Sequence, residues 1–137
     1  MSREEILRDI RETLGIVPKF LEGLPDGSLE YEWGIFKRIE LGETAIPNKY
    51  KELIGIGVAA ATRCRYCSLF HTEAAKMFGA TDAEIQDALL VAKNSLGWTT
   101  YLNGSQYDYD LFNRELEEIK RFLAEKGKKE VVGVGRY

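Results

Sequence analysis

The residues of this chain best suited to chemistry sit together in one short run, Cys64-Arg65-Tyr66-Cys67-Ser68-Leu69-Phe70-His71, which holds both cysteines and the only histidine of 137 residues. On a helix, at about 100° per residue, Cys67 and His71 lie roughly 40° apart and Cys64 about 20° from His71, so all three share one side. A thiolate is the reactive form of cysteine, and two features favour it here. The positive end of a helix dipole falls near Cys64, and an imidazole stands within one turn of Cys67. Arg63 and Arg65 add positive field. A Cys-x-x-Cys at a helix start is the spacing in which a thiol pair cycles with its disulfide. The dipole favours Cys64 as the attacking sulfur and the imidazole favours Cys67. The order expected is attack by Cys67 and resolution by Cys64.

Two other uses of the same residues stay open. Cys64, Cys67 and His71 could hold zinc with an acid as fourth ligand, in a non-catalytic protein that binds metal or senses redox state; structural zinc usually brings a second Cys or His pair, and none exists here. Two buried cysteines beside a satisfied histidine would be the plain structural outcome, although chance seldom gathers such residues in two helical turns.

The elements that must position this segment are helices throughout. Ser2 with Glu5 is a capping-box pattern, and Ile6, Leu7, Ile10 and Leu14 keep helical spacing until Gly15. Pro18, Pro25, Asp26 and Gly27 punctuate residues 16–28 into a turn-rich connection with a short helix around Lys19 to Gly23. Leu29, Trp33, Phe36 and Ile39 or Glu40 mark a second long helix that stops at Gly42. Pro47 suits the first turn of a helix running toward Ala61. The next should begin near Cys64 and end at Gly79; Thr81 and Glu84 then cap a helix striped by Ile85, Ala88, Leu89, Ala92 and Leu96. Residues 97–107 carry no clear period, and Asp110 to Lys126 resumes it through Phe112, Leu116, Ile119 and Leu123. Residues 127–137 read as a flexible tail. The expectation is an all-α, single-domain helical bundle of six or seven helices spanning residues 1–137. Trp33, Trp98, Tyr101 and Tyr107 suit either the core or an interface between copies.

Composition narrows the function classes. With 19 basic and 22 acidic residues, net charge -3, spread along the chain, no basic stripe is available to neutralise phosphates, which excludes nucleic-acid binding. The most apolar stretch, Leu53 to Ala61, is broken by Gly55 and Gly57 and is too short to span a bilayer, so no membrane association is expected. The charged start, Met1 to Asp9, is unlike a signal peptide, and a cytoplasmic location is the resulting expectation. In that compartment a close cysteine pair serves redox chemistry or metal binding rather than stapling. No cofactor-binding motif is visible.

Glu52, then Cys64, Arg65, Tyr66, Cys67 and His71, followed by an Ala-rich helix ending in Phe78-Gly79-Ala80-Thr81 with Glu84-Ile85 beyond, resembles the carboxymuconolactone decarboxylase superfamily, in its alkylhydroperoxidase D-like branch. The resemblance is strongest from Pro47 to Leu96. It implies an all-helical fold of that type, assembly into homotrimers or homohexamers, and reduction of peroxides or disulfides with an external thiol as electron donor. By the same resemblance Cys64 and Cys67 are the redox pair, His71 the relay base and Glu52 the relay acid. Tyr66 departs from alkylhydroperoxidase D, which has a second histidine there, and the cysteine pair itself sets the chain apart from the lactone decarboxylases. Geometry constrains Glu52 independently. One unbroken helix would hold it about 18 Å from Cys64, so the chain must turn between them, with Thr62-Arg63 the natural pivot.

Overall fold

Expectation and structure meet first at the helices. The computed structural model describes residues 1–127, which form α1 (Arg3–Leu14), α2 (Lys19–Glu22), α3 (Asp26–Phe36), α4 (Asn48–Thr62), α5 (Arg65–Met77), α6 (Asp82–Gly104) and α7 (Tyr109–Gly127). A π-helical turn, Lys37–Leu41, continues α3. No strand occurs among the described residues. The tail expected over 127–137 lies outside them apart from Gly127. Contacts divide the chain into two compact units, Met1–Asn94 and Ser95–Tyr137.

In the first unit, α1 opens with the expected capping box: the Ser2 hydroxyl accepts from the Glu5 N–H and the Glu5 carboxylate from the Ser2 N–H. Such a cap is worth about 1 kcal/mol and aligns Ile6 and Ile10 with Leu21, Leu29 and Trp33 in one buried cluster. Trp33 is therefore core, its indole N–H donating to the Asp9 carboxylate at 2.7 Å. The connection expected through Ser28 ends earlier, since α3 starts at Asp26 with Pro25 as its N-cap. The reason is electrostatic as well as steric. Asp26 meets the positive end of its helix, and its carboxylate is held by Arg3 at 2.7 Å.

The π turn was not legible as such. It ends as the Gly42 N–H donates to the Lys37 carbonyl at 2.9 Å, and a Cβ on Gly42 would lie 2.8 Å from the Arg38 carbonyl oxygen. Only glycine fits this close approach.

Helices α4 and α5 fold back on one another about Arg63, whose backbone is left-handed (φ 56°), with Cys64 extended beside it. Ile56, Ala75 and Ile85 form a second buried cluster flanked by Leu53, Ala80 and Leu89. The Thr81–Glu84 cap of α6 is present, and the Glu84 carboxylate also accepts from Lys49 Nζ at 2.8 Å, tying α6 to α4. The stretch from 97, without a period in the sequence, continues α6 to Gly104. In the second unit, Asp108 caps α7 by accepting from the Leu111 N–H at 2.6 Å. No residue of α7 is buried.

Candidate redox site

Cys64 is the N-cap of α5, and its sulfur accepts the backbone N–H of Cys67 at 3.2 Å. An N-cap acceptor satisfies a helix N–H that would otherwise lack a partner, and a charged sulfur does so better than a neutral one. The Cys64 thiol is accordingly drawn below its ordinary range, first by the hydrogen bond from the Cys67 side chain and then by the backbone N–H of Cys67. The same hydrogen bond, in which the Cys67 thiol donates, pushes Cys67 up. Both thiols are free, Cys64 half-buried and Cys67 exposed. The hydrogen bonds favour ionisation of Cys64 over Cys67, whereas the order expected from sequence has Cys67 attack first. The imidazole expected to activate Cys67 makes its hydrogen bond elsewhere.

That bond is to Glu52: His71 Nδ1 and Glu52 Oε2 are 2.7 Å apart. Glu52 is 1% exposed and is the one buried charged residue among those described. With the carboxylate on Nδ1, the hydrogen of the neutral ring lies on that nitrogen and Nε2 is left as the base. Burial pushes the Glu52 carboxyl up; the hydrogen bond and charge of His71 pull it back down, the charge of Glu40 raises it and that of Lys51 lowers it. The resemblance paired Glu52 with His71 and spacing required a turn near Thr62-Arg63; the turn at Arg63 brings the two side chains together. Among the described residues no hydrogen bond joins either sulfur to the imidazole, and Cys67 precedes His71 by one helical turn, about 6 Å of rise.

Two residues escaped the sequence reading. Gly55 is buried against the imidazole, where a Cβ would lie 2.4 Å from His71 Nδ1. A glycine one helical turn after Glu52 was the available signal, read only as a break in an apolar run. Glu40, half-buried on the π turn, brings a second carboxylate: ligand atoms of Glu40, Glu52 and His71 all lie within 4.8 Å of one another. These three are the only described residues gathered as a cation would need, so the zinc set of Cys64, Cys67 and His71 is not assembled. Tyr66, whose identity set this chain apart, is 79% exposed and stacks under the Arg65 guanidinium at 5.8 Å.

A helix-capping dithiol one turn before a histidine that is braced by a buried glutamate defines an all-helical protein of the dithiol type. Comparison with known proteins agrees. The model of the carboxymuconolactone decarboxylase family matches residues 23–107, and the chain belongs to that family, in its alkylhydroperoxidase D-like branch. It is similar to the crystal structure of the alkylhydroperoxidase AhpD core from Rhodospirillum rubrum, with 28% identity and a TM-score of 0.68 over 77% of this chain and 80% of that one. It is also 28% identical over 69 residues to "Uncharacterized protein 4 in cox locus" of Paracoccus denitrificans, a match covering 50% of this chain and 62% of that protein. No helix among the described residues is long and apolar enough to cross a membrane.

Proposed function

We propose that the protein is a thiol-disulfide oxidoreductase that reduces peroxides or small disulfides through Cys64 and Cys67, with His71 and Glu52 as proton relay. The observation that carries this reading is the pairing of His71 with the buried Glu52 one turn beyond a dithiol whose first sulfur caps a helix. The alkylhydroperoxidase named above, similar in fold and in part of its sequence, supports the peroxide side of it.

In the proposed cycle Cys64 gives its proton to Nε2 of His71, and the resulting thiolate attacks the outer oxygen of a peroxide. The O–O bond breaks, Cys64 becomes a sulfenic acid, and the departing alkoxide takes a proton from the imidazolium of His71. Cys67 then gives its proton to His71 and attacks the Cys64 sulfur; the S–S bond forms, and the leaving hydroxide takes that proton to become water. Two thiols and one hydroperoxide thus yield a disulfide, an alcohol and water. With a disulfide substrate the leaving group is a thiolate and Cys67 closes the mixed disulfide. An external dithiol resets the pair. Glu52 keeps the imidazole in the tautomer that leaves Nε2 free, as second carboxylates do in other base-assisted sites.

Assembly into homotrimers or homohexamers belongs to the same proposal. Phe112, Leu116, Ile119 and Leu123 on α7 are 41–57% exposed, an apolar stripe suited to another copy of the chain.

The test is a panel of peroxides and small disulfides offered to the reduced protein, read by free-thiol count and intact mass. Loss of both thiols with loss of two hydrogens is expected, and Cys64→Ser should form no intramolecular disulfide with the same oxidants. Persistent thiols, or intermolecular links alone, would sink the reading.

A further inference from the structure

The π turn raises a question that the dithiol cycle leaves unused: why a second carboxylate is brought to an imidazole that already has one. An extra residue in a helical turn swings the residues beyond it by about 100° relative to an unbroken helix, and π turns recur where a side chain is re-aimed. Here the re-aimed side chain is Glu40. Its position is held from α4, next to the relay acid. Lys51 Nζ donates to the carbonyls of Ile39 at 2.6 Å and Gly42 at 2.7 Å, and Asn48 Nδ2 to that of Leu41 at 3.2 Å. The carbonyls on both sides of Glu40 are thus clamped by residues of the helix that carries Glu52.

We propose that Glu40 is a positioning residue of the redox site, whose carboxylate stabilises the imidazolium of His71 while Cys67 gives up its proton. The inference rests on the reading of His71 and Glu52 as the relay. Its physical basis is the burial of Glu52. A carboxylate 1% exposed is poorly solvated as an anion, and burial pushes its carboxyl up. An imidazolium next to such a group has a reluctant counter-ion. Glu40, within 4.8 Å of both groups and half-buried, shares that charge at the edge of solvent. The charged groups that bear on the pair are Glu40 from the π turn, Lys51 from α4 and His71 itself from α5; Lys51 is spent on the clamp carbonyls. Two unit charges at this separation, screened as partly exposed groups are, change the population of an ion pair by roughly five- to tenfold.

The experiment isolates Cys67 in a Cys64→Ser background, where serine keeps the N-cap. Alkylation of Cys67 by iodoacetamide is measured from pH 5.5 to 9.5, which reads thiolate without reference to any physiological oxidant. Glu40→Gln should slow it roughly five- to tenfold near neutral pH, and the defect should vanish above the pKa of a free thiol, about 8.5, where hydroxide supplies the thiolate. Glu40→Asp should recover most of the rate, and adding Glu40→Gln to His71→Ala should slow it no further. A Glu40→Gln protein that matches its parent overturns the inference while a slow His71→Ala leaves the relay standing. Equal losses in Glu40→Gln and Glu40→Asp, or a Glu40→Gln effect that persists without His71, overturn it as mere packing. So does a stoichiometric metal ion in the purified parent that is lost in Glu40→Gln, since Glu40 would then be a ligand. If His71→Ala alkylates normally, relay and inference fall together. Should Glu40→Gln not fold, Glu40→Asp against Glu40→Ala decides the matter by the same profile.

Discussion

The α4–α5 hairpin and helix α7 begin from the same kind of sequence, amphipathic stretches with strong caps, and end in opposite states. In the hairpin Glu52, Gly55, Ile56, Ala59 and Ala75 are buried, and the polar pair formed there by Glu52 and His71 is hydrogen-bonded. In α7 an apolar stripe just as regular leaves every residue in contact with solvent. Periodicity therefore decides that a helix forms, and not what its face will meet. The hairpin meets itself, because a two-residue turn at Arg63 and Cys64 returns the chain at once. The stripe of helix α7 is left exposed. An exposed stripe of this kind suits the interface between copies proposed above.

The sharpest way to break this comparison is to charge α7. Leu116→Glu with Ile119→Glu should convert the proposed trimer or hexamer to monomer, since a charge buried in an apolar interface costs several kcal/mol. Sedimentation at micromolar concentration reads the outcome, with alkylation of Cys64 unchanged. A parent that is already monomeric would show the stripe to be no interface between copies.

A smaller effect is expected inside the hairpin. Gly55→Ala puts a methyl where the imidazole lies, so His71 must leave Glu52; overpacking should cost about 1–3 kcal/mol of stability, and disulfide closure should slow by about 10²-fold. Gly57→Ala is the control, because its Cβ meets only Ala92 at an ordinary 3.8 Å. If the two alanines behave alike in disulfide closure, the close approach at Gly55 has no bearing on the relay.

The smallest effect carries a sign. Burial raises the Glu52 carboxyl in the folded chain, so its contribution to stability is fully present below the unfolded pKa and is lost as pH rises through the folded one. Glu52→Gln should therefore melt a few degrees higher than the parent near neutral pH, a gap that closes by about pH 4, while its disulfide closes more slowly than the parent's. Calorimetry from pH 3.5 to 8 checks the sign. A variant less stable at pH 7 than at pH 4, relative to the parent, would mean that the ionised pair stabilises the fold.

Much of this protein is legible in its sequence for local reasons. Caps at Ser2 and Thr81, glycine stops at Gly15 and Gly42, and the 3.6-residue stripes are set by neighbours a few positions away, and they placed most of the helices within a few residues. The common side of Cys64, Cys67 and His71 is likewise a matter of helical angle, and the family resemblance picked out Glu52 when spacing alone could not. What only the tertiary structure decided involves groups far apart in sequence or a local departure from helical register. Spacing required a turn near Thr62-Arg63, but the hydrogen bond that joins Glu52 to His71 across 19 positions comes from the left-handed Arg63. The π turn swings Glu40 toward them, an angle no periodic reading of an α-helix contains. Trp33 was assigned to the core by Asp9 and Ile10 on another helix, and Gly55 acquired its meaning only from the ring lying against it. The hydrogen bond to Cys64 depends on one residue of helix boundary: as the N-cap its sulfur meets a free N–H, and one position later it would not.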